Sequence, residues 1–249
     1  MAKYKSLFKI QGIIGFSHFY KTEDGYQVRS KGGVSKSRIQ KDPAFQRTRE
    51  NNSEFGSSAT SGKILRRAII DMLANVKDSR LVSRVTQVMT QVKNFDSTSP
   101  RGKRNVATGI ATTDGKIPLR GFNFNRKSSL SEVLLSGYEL NTTTGEVTIT
   151  GFNPNLKLNT PEGATHVEFS AGFLNLDFTT QVKDLQLSNA VNLPINGTTT
   201  TITLTPAAPA AGTGQSFYFL KVAFFQEINN LQYPLKNGTF NALQILEVL

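Results

Sequence analysis

Glu146-Val-Thr-Ile-Thr150, followed by His166-Val-Glu-Phe-Ser170, Leu176-Asp-Phe-Thr179, Thr200-Thr-Ile-Thr-Leu-Thr205, Phe217–Gln226 and Leu243–Val248, is the series whose reading decides the fold. Each run is short and rich in β-branched or aromatic residues, and Asn-Gly and Thr-Gly pairs punctuate the series as turns do. Six such runs beyond Gly137 predict an antiparallel β-sandwich of immunoglobulin-like size.

Upstream the texture changes. Leu7 to Val28 alternates apolar with polar or glycine positions, carries Phe16, Phe19, Tyr20 and Tyr26, and has a turn signal at Thr22-Glu-Asp-Gly25. This predicts strands closed by a hairpin turn. Asp42-Pro43 pairs an N-cap acceptor with proline at the first helical position. Beyond it Phe45, Thr48, Asn52, Phe55, Ala59, Gly62, Leu65, Ile69 and Met72 recur at three- and four-residue steps, as one face of a long helix does. The middle of that face is small, so either another backbone approaches it closely or Gly56 and Gly62 break or bend the helix. Leu81, Val85, Val88, Val92 and Phe95 form a second seam, too short for a free coiled coil and suited to packing on the first helix. Asp96 to Asn105 lacks periodicity and mixes Ser, Pro and Gly with three cations, which predicts an exposed basic loop. The expected class is therefore α+β, with an N-terminal β-hairpin and helical region over residues 1–136 and an all-β immunoglobulin-like sandwich over residues 137–249.

Charge divides the chain in the same way. Its 249 residues carry a net charge of +11; through Lys127 there are 25 Lys plus Arg against 9 Asp plus Glu, and beyond it 4 against 9, so +16 is followed by −5. A basic half of this kind is expected to face an anionic partner, such as nucleic acid, a membrane surface or an acidic protein face, the plainer reading being acidic neighbours within its own assembly. The residues expected to make such contacts are Arg29, Lys31, Lys36, Arg38 and Lys41, set among Gly and Ser; Arg47, Arg49, Lys63, Arg66 and Arg67 along the first helix; and Arg101, Lys103 and Arg104 in the basic loop. For any one of them a solvated surface charge is the competing reading.

Chemistry is sparse by comparison. No cysteine is present, which removes thiol nucleophiles, disulfides and thiolate metal sites and fits a reducing compartment. His18 and His166 fall on separate strand-like segments without the neighbours a metal site requires. Gly56-Ser-Ser-Ala-Thr-Ser-Gly62-Lys63-Ile64 departs from a phosphate loop, having five residues between its glycines and Ile64 where magnesium needs a hydroxyl. No nucleophile elbow, zinc helix or calcium loop occurs. The expectation is a non-enzyme with no cofactor and no metal. Lys9 and Gln11 interrupt any apolar leader, Asp71 and Lys221 interrupt the longest apolar runs, and neither a signal peptide nor a membrane span is expected. The place expected for the chain is the cytoplasm or an assembled particle.

Gly12-x-x-Gly15, Phe19-Tyr20-Lys21, Val28-Arg29, Asp42-Pro43-Ala44 and Gln46-Arg47-x-Arg49-x-Asn51-x-x-x-Phe55 together resemble an uncharacterised family of Bacteroidota proteins. The resemblance implies a glycine-rich hairpin, a basic helical region and a C-terminal β-sandwich, and it implies no activity. The favoured expectation is a structural, self-assembling homo-oligomer of a virion, phage-like particle or other bacterial assembly. Nucleic-acid binding through the basic half is the alternative.

Overall fold

The computed structural model describes residues 2–3, 8–30 and 32–249, and its contacts divide the chain into two compact units, Met1–Arg49 and Glu50–Leu249. In the first unit β1 (Ala2–Lys3), β2 (Gly12–Ile14), β3 (Ser17–Thr22) and β4 (Gly25–Ser30) form an antiparallel sheet in the order β1-β4-β3-β2. The expected turn is there: Thr22 pairs with Gly25, whose φ of +108° suits glycine, so the loop is Glu23-Asp24. After β4 comes α1 (Lys36–Lys41), capped by the Ser35 hydroxyl on the Arg38 amide. Asp42 ends it and caps the 3-10 turn Pro43–Phe45 through the Ala44 amide, which is the start signal read in the sequence. None of this unit's described residues is buried.

The helix α2 (Gln46–Ala68) begins in the first unit and gives most of its length to the second, running unbroken through Gly56 and Gly62. It is followed by α3 (Ile70–Leu73), α4 (Leu81–Lys93), α5 (Val106–Ile110), α6 (Thr113–Lys116) and α7 (Leu130–Val133). Then come β5 (Glu139–Leu140), β6 (Val147–Phe152), α8 (Pro154–Lys157), β7 (His166–Leu176), β8 (Lys183–Leu187), β9 (Val191–Pro194), β10 (Thr200–Leu204), β11 (Gln215–Ile228), β12 (Leu231–Pro234) and β13 (Ala242–Val248). The class is α+β, as expected.

Two long strands organise this unit. Antiparallel β7 and β11 pair from Leu176–Gln215 to His166–Phe225. The free side of β7 is covered by β8 and then β9, and that of β11 by β13 and then β12, giving a six-stranded sheet. A second sheet, in the order β10-β6-β5, is tied to the first by the bridge Ser188–Pro206, where the strands curl over.

Side-chain alternation along β7 and β11 gives each face of the large sheet its own core. Leu174, Leu176, Phe217 and Phe219, with Leu243, Ile245 and Val248 of β13, pack on Leu65, Met72, Val85, Met89 and Val92 of the helices. Val167, Phe169, Leu220, Val222 and Phe224 pack on Val147, Ile149, Ile202 and Leu204 of the small sheet. The layers are therefore helices, large sheet, small sheet. The helices of residues 50–136 share a core with the strands, so the expected division at 136/137 is replaced by one at 49/50.

Local departures have local causes. Leu176–Thr179 is only the end of β7 followed by a turn, because the Asp177 carboxylate accepts from the Thr179 amide and the Thr180 hydroxyl, both at 2.7 Å. Ahead of Gly62 the face that α2 buries is Glu54, Ser58 and Ser61, whereas Phe55 of the expected stripe is 58% exposed. From Gly62 onward the expected face holds, and a Cβ at Gly62 would stand 3.1 Å from Val85 Cγ1, so α4 does pack against the small-residue patch. Among the described residues no helix is long and apolar enough to cross a membrane.

Candidate functional site

The expected cations separate into those already engaged within the fold and those left to solvent. The basic loop 96–105 belongs to the first kind. Glu54, 2% exposed, receives the Arg104 guanidinium on both oxygens (2.9 and 2.8 Å), the Gly102 amide at 2.8 Å and the Lys93 ammonium. The Arg104 hydrogen bonds outweigh the cost of burial and, with Lys93 and the Gly102 amide, hold the Glu54 carboxyl at about 2. Burial also opposes the charge of Asp96, but the Ser99 amide and hydroxyl, the Asn105 amide and the Thr98 hydroxyl prevail and keep it at about 2. Arg101 pairs with Glu50 at 3.1 Å. The loop is thus pinned by buried carboxylates, and of its three expected contact cations only Lys103 is exposed without an ion pair among the described residues. The sequence could not show this, because fifty residues separate Glu54 from Arg104 and only the fold brings the two together.

In the first unit Arg49 is also engaged, donating to the carbonyls of Ile39 (2.8 Å) and Asp42 (2.9 Å) and so locking the corner between α1 and α2. Arg38 is exposed, bonds Asp42 at 3.2 Å and lies over the Phe45 ring; Arg29 is exposed over the Tyr20 ring. Lys36, Lys41 and Arg47 are exposed, and Lys31 lies outside the described residues.

Further along α2, Lys63 and Arg67 are exposed, and Arg66 is half-buried with its Nε enclosed and without a hydrogen-bond partner among the described residues. Lys63 and Arg67 line a pocket of about 300 Å³ with Thr60, Ile64, Gln181 and Lys183. Lys183 was invisible as a candidate because it stands on β8, in the acidic part of the chain. A second depression, about 690 Å³, runs between α2 and α4 beside the exposed Phe55 and Val82 and is lined otherwise by Ala59 and hydroxyl and amide side chains.

His18 lies 5.4 Å from the Tyr20 ring, and His166 bonds Thr165 and faces Glu227 at 3.5 Å. Among the described residues no three His, Asp or Glu groups gather as metal ligands would. The Gly56–Lys63 stretch is continuous helix and offers no loop to wrap a phosphate. Compared with known proteins, the sequence matches no family model, no curated protein and no solved structure.

Proposed function

We propose that the chain is a non-enzymatic structural protein that assembles with copies of itself, as a component of a virion, phage-like particle or other bacterial assembly. One observation carries this reading: the N-terminal sheet has no buried described residue, yet presents Ile13, Ile14 and Phe16 at 59%, 57% and 84% exposure. A small sheet needs an apolar face packed on something to be stable in water, and clustered exposed apolar residues mark where a partner sits. β2 is moreover an edge strand, with Ile13 and Ile14 on it and no proline or charge to block pairing with another chain. The facing sheets of the second unit, read as a sandwich of immunoglobulin-like kind, then form the body that is displayed or packed laterally.

Light scattering of the full chain over a range of concentration and salt tests the reading. An oligomer is expected, persisting at high salt because apolar contacts strengthen there, and dispersed by Ile14→Asp with Phe16→Asp. A monomer under every condition overturns it.

Nucleic-acid binding remains the second reading, favoured by one observation. Residues 1–49 carry 11 Lys plus Arg against 3 Asp plus Glu, and Lys36, Lys41 and Arg47 are exposed without ion pairs among the described residues. Charge reversal of Lys36 and Arg38 together then weakens binding to all sequences and flattens its salt dependence, since phosphate contacts release counterions without specifying bases.

A further inference from the structure

Three cations from two distant parts of the chain meet at the C-terminal end of α2. Lys63 and Arg67 stand one helical turn apart on one wall of the 300 Å³ pocket, and Lys183, the first residue of β8, forms another. The Lys183 ammonium donates to the Arg67 carbonyl at 3.0 Å, just before the helix is interrupted at Ile69 (φ −111°, ψ 28°). That bond occupies one of its three donors. Among the described residues none of the three cations forms an ion pair. The carboxylates nearest in sequence to Lys183 are committed elsewhere, Asp177 to Thr179 and Thr180, and Asp184 to the Ala211 amide and Gln186.

Lys63, Arg67 and Lys183 are all exposed, so water screens part of their mutual repulsion, and an anion among them would relieve the rest. Cations in the last turn of a helix complement its dipole, but Lys183 on the Arg67 carbonyl already meets that need. It leaves the convergence of Lys63 and the Arg67 side chain on the same space unexplained.

We propose that this pocket binds the phosphoryl group of a small molecule. The Arg67 fork spans two oxygens, Lys63 and the remaining Lys183 donors take the others, and the Gln181 amide adds a neutral donor. Its volume is at the low end of ligand pockets, and no aromatic side chain lines it for a base to stack on, which favours a small phosphate over a nucleic-acid strand. The inference is independent of the assembly reading.

The test is calorimetric titration of the full chain with pyrophosphate at low salt. One saturable site is expected, weakened about tenfold or more by Lys63→Gln and by Lys183→Gln, and unchanged by Lys157→Gln, which lies on α8. If circular dichroism shows that Lys183→Gln loosens the helix end, Lys63→Gln decides alone, because Lys63 makes no hydrogen bond among the described residues. Absence of a saturable site, or an unchanged affinity in Lys63→Gln, overturns the proposal. So does a single-stranded oligonucleotide that binds through these lysines more tightly than pyrophosphate, which assigns the pocket to nucleic acid.

Discussion

Glu54 is the residue on which the helical layer is most exposed to chemistry. A carboxylate on α2 with a side chain 1% accessible is tolerable only because Arg104, Lys93 and the Gly102 amide converge on it. Removing its charge leaves the Lys93 ammonium, 8% accessible, without its counter-ion. Glu54→Gln is therefore expected to lower unfolding stability by about 3–5 kcal/mol, measured by urea denaturation at pH 7. The same group gives a pH dependence of definite sign. Its carboxyl is held at about 2 against an ordinary 4.5, so its contribution is full above about pH 4.5 and is lost as pH falls through 2. Asp96, held at about 2 against 3.8, loses its contribution in the same direction. Denaturation midpoints should drop steeply between pH 4.5 and 2 in the native chain, and less so in Glu54→Gln. A residue of this kind is illegible in sequence, where nothing distinguishes Glu54 from the exposed Glu23.

At the scale of elements, glycine separates contact from exposure. A Cβ at Gly109 of α5 would lie 2.2 Å from the Val92 carbonyl oxygen, and one at Gly115 of α6 would lie 1.9 Å from the Gly109 carbonyl oxygen. The end of α4 and these two short helices stack through bare backbone. Gly56, by contrast, has nothing within 4 Å of its virtual Cβ. Gly109→Ala should destabilise by about 1–3 kcal/mol or more through overpacking, whereas Gly56→Ala should stabilise by roughly 0.5–1 kcal/mol through helix propensity; chemical denaturation of both variants checks the pair. The periodicities of α2 and α4 were legible because Leu65, Val85 and Val92 repeat at helical spacing on a buried face. Ahead of Gly62 the stripe on α2 is misleading, because polar Glu54, Ser58 and Ser61 face inward while Phe55 does not. Strands β8 and β9 are illegible for a different reason: Lys-Asp-Leu-Gln-Leu and Val-Asn-Leu-Pro are short, carry two aliphatic residues each and bury none of their side chains fully.

For the molecule as a whole, the class was readable and the division was not. A change in composition near Gly137 marks where helices give way to strands, but the helix-facing core takes Leu174, Phe217 and Ile245 from one side of that point and Leu65, Met89 and Val92 from the other. Each fully buried side chain of this size contributes roughly 1.5–3 kcal/mol, so a fragment 137–249 exposes more than it can bear. Expressed alone, it should aggregate or lack a cooperative melt, while 50–249 should show one by circular dichroism. Charge patterning located the basic half correctly, yet it could not reveal that Arg49, Arg101 and Arg104 are engaged inside the fold, or that Lys183 joins Lys63 and Arg67. Arg49 is engaged by the local corner at Ile39 and Asp42, and the others depend on pairings across the chain that only the fold creates.

The sharing of the large sheet by two cores also has a consequence in time. A ribosome makes the helices first, and Val92 emerges well before Ile245, against which its core is completed. At roughly 5–20 residues per second the interval is on the order of ten seconds. Until β7 and then β11 follow, Leu65, Val85 and Met89 have no sheet to cover them, so the apolar face of the helices stays open for the first part of that interval.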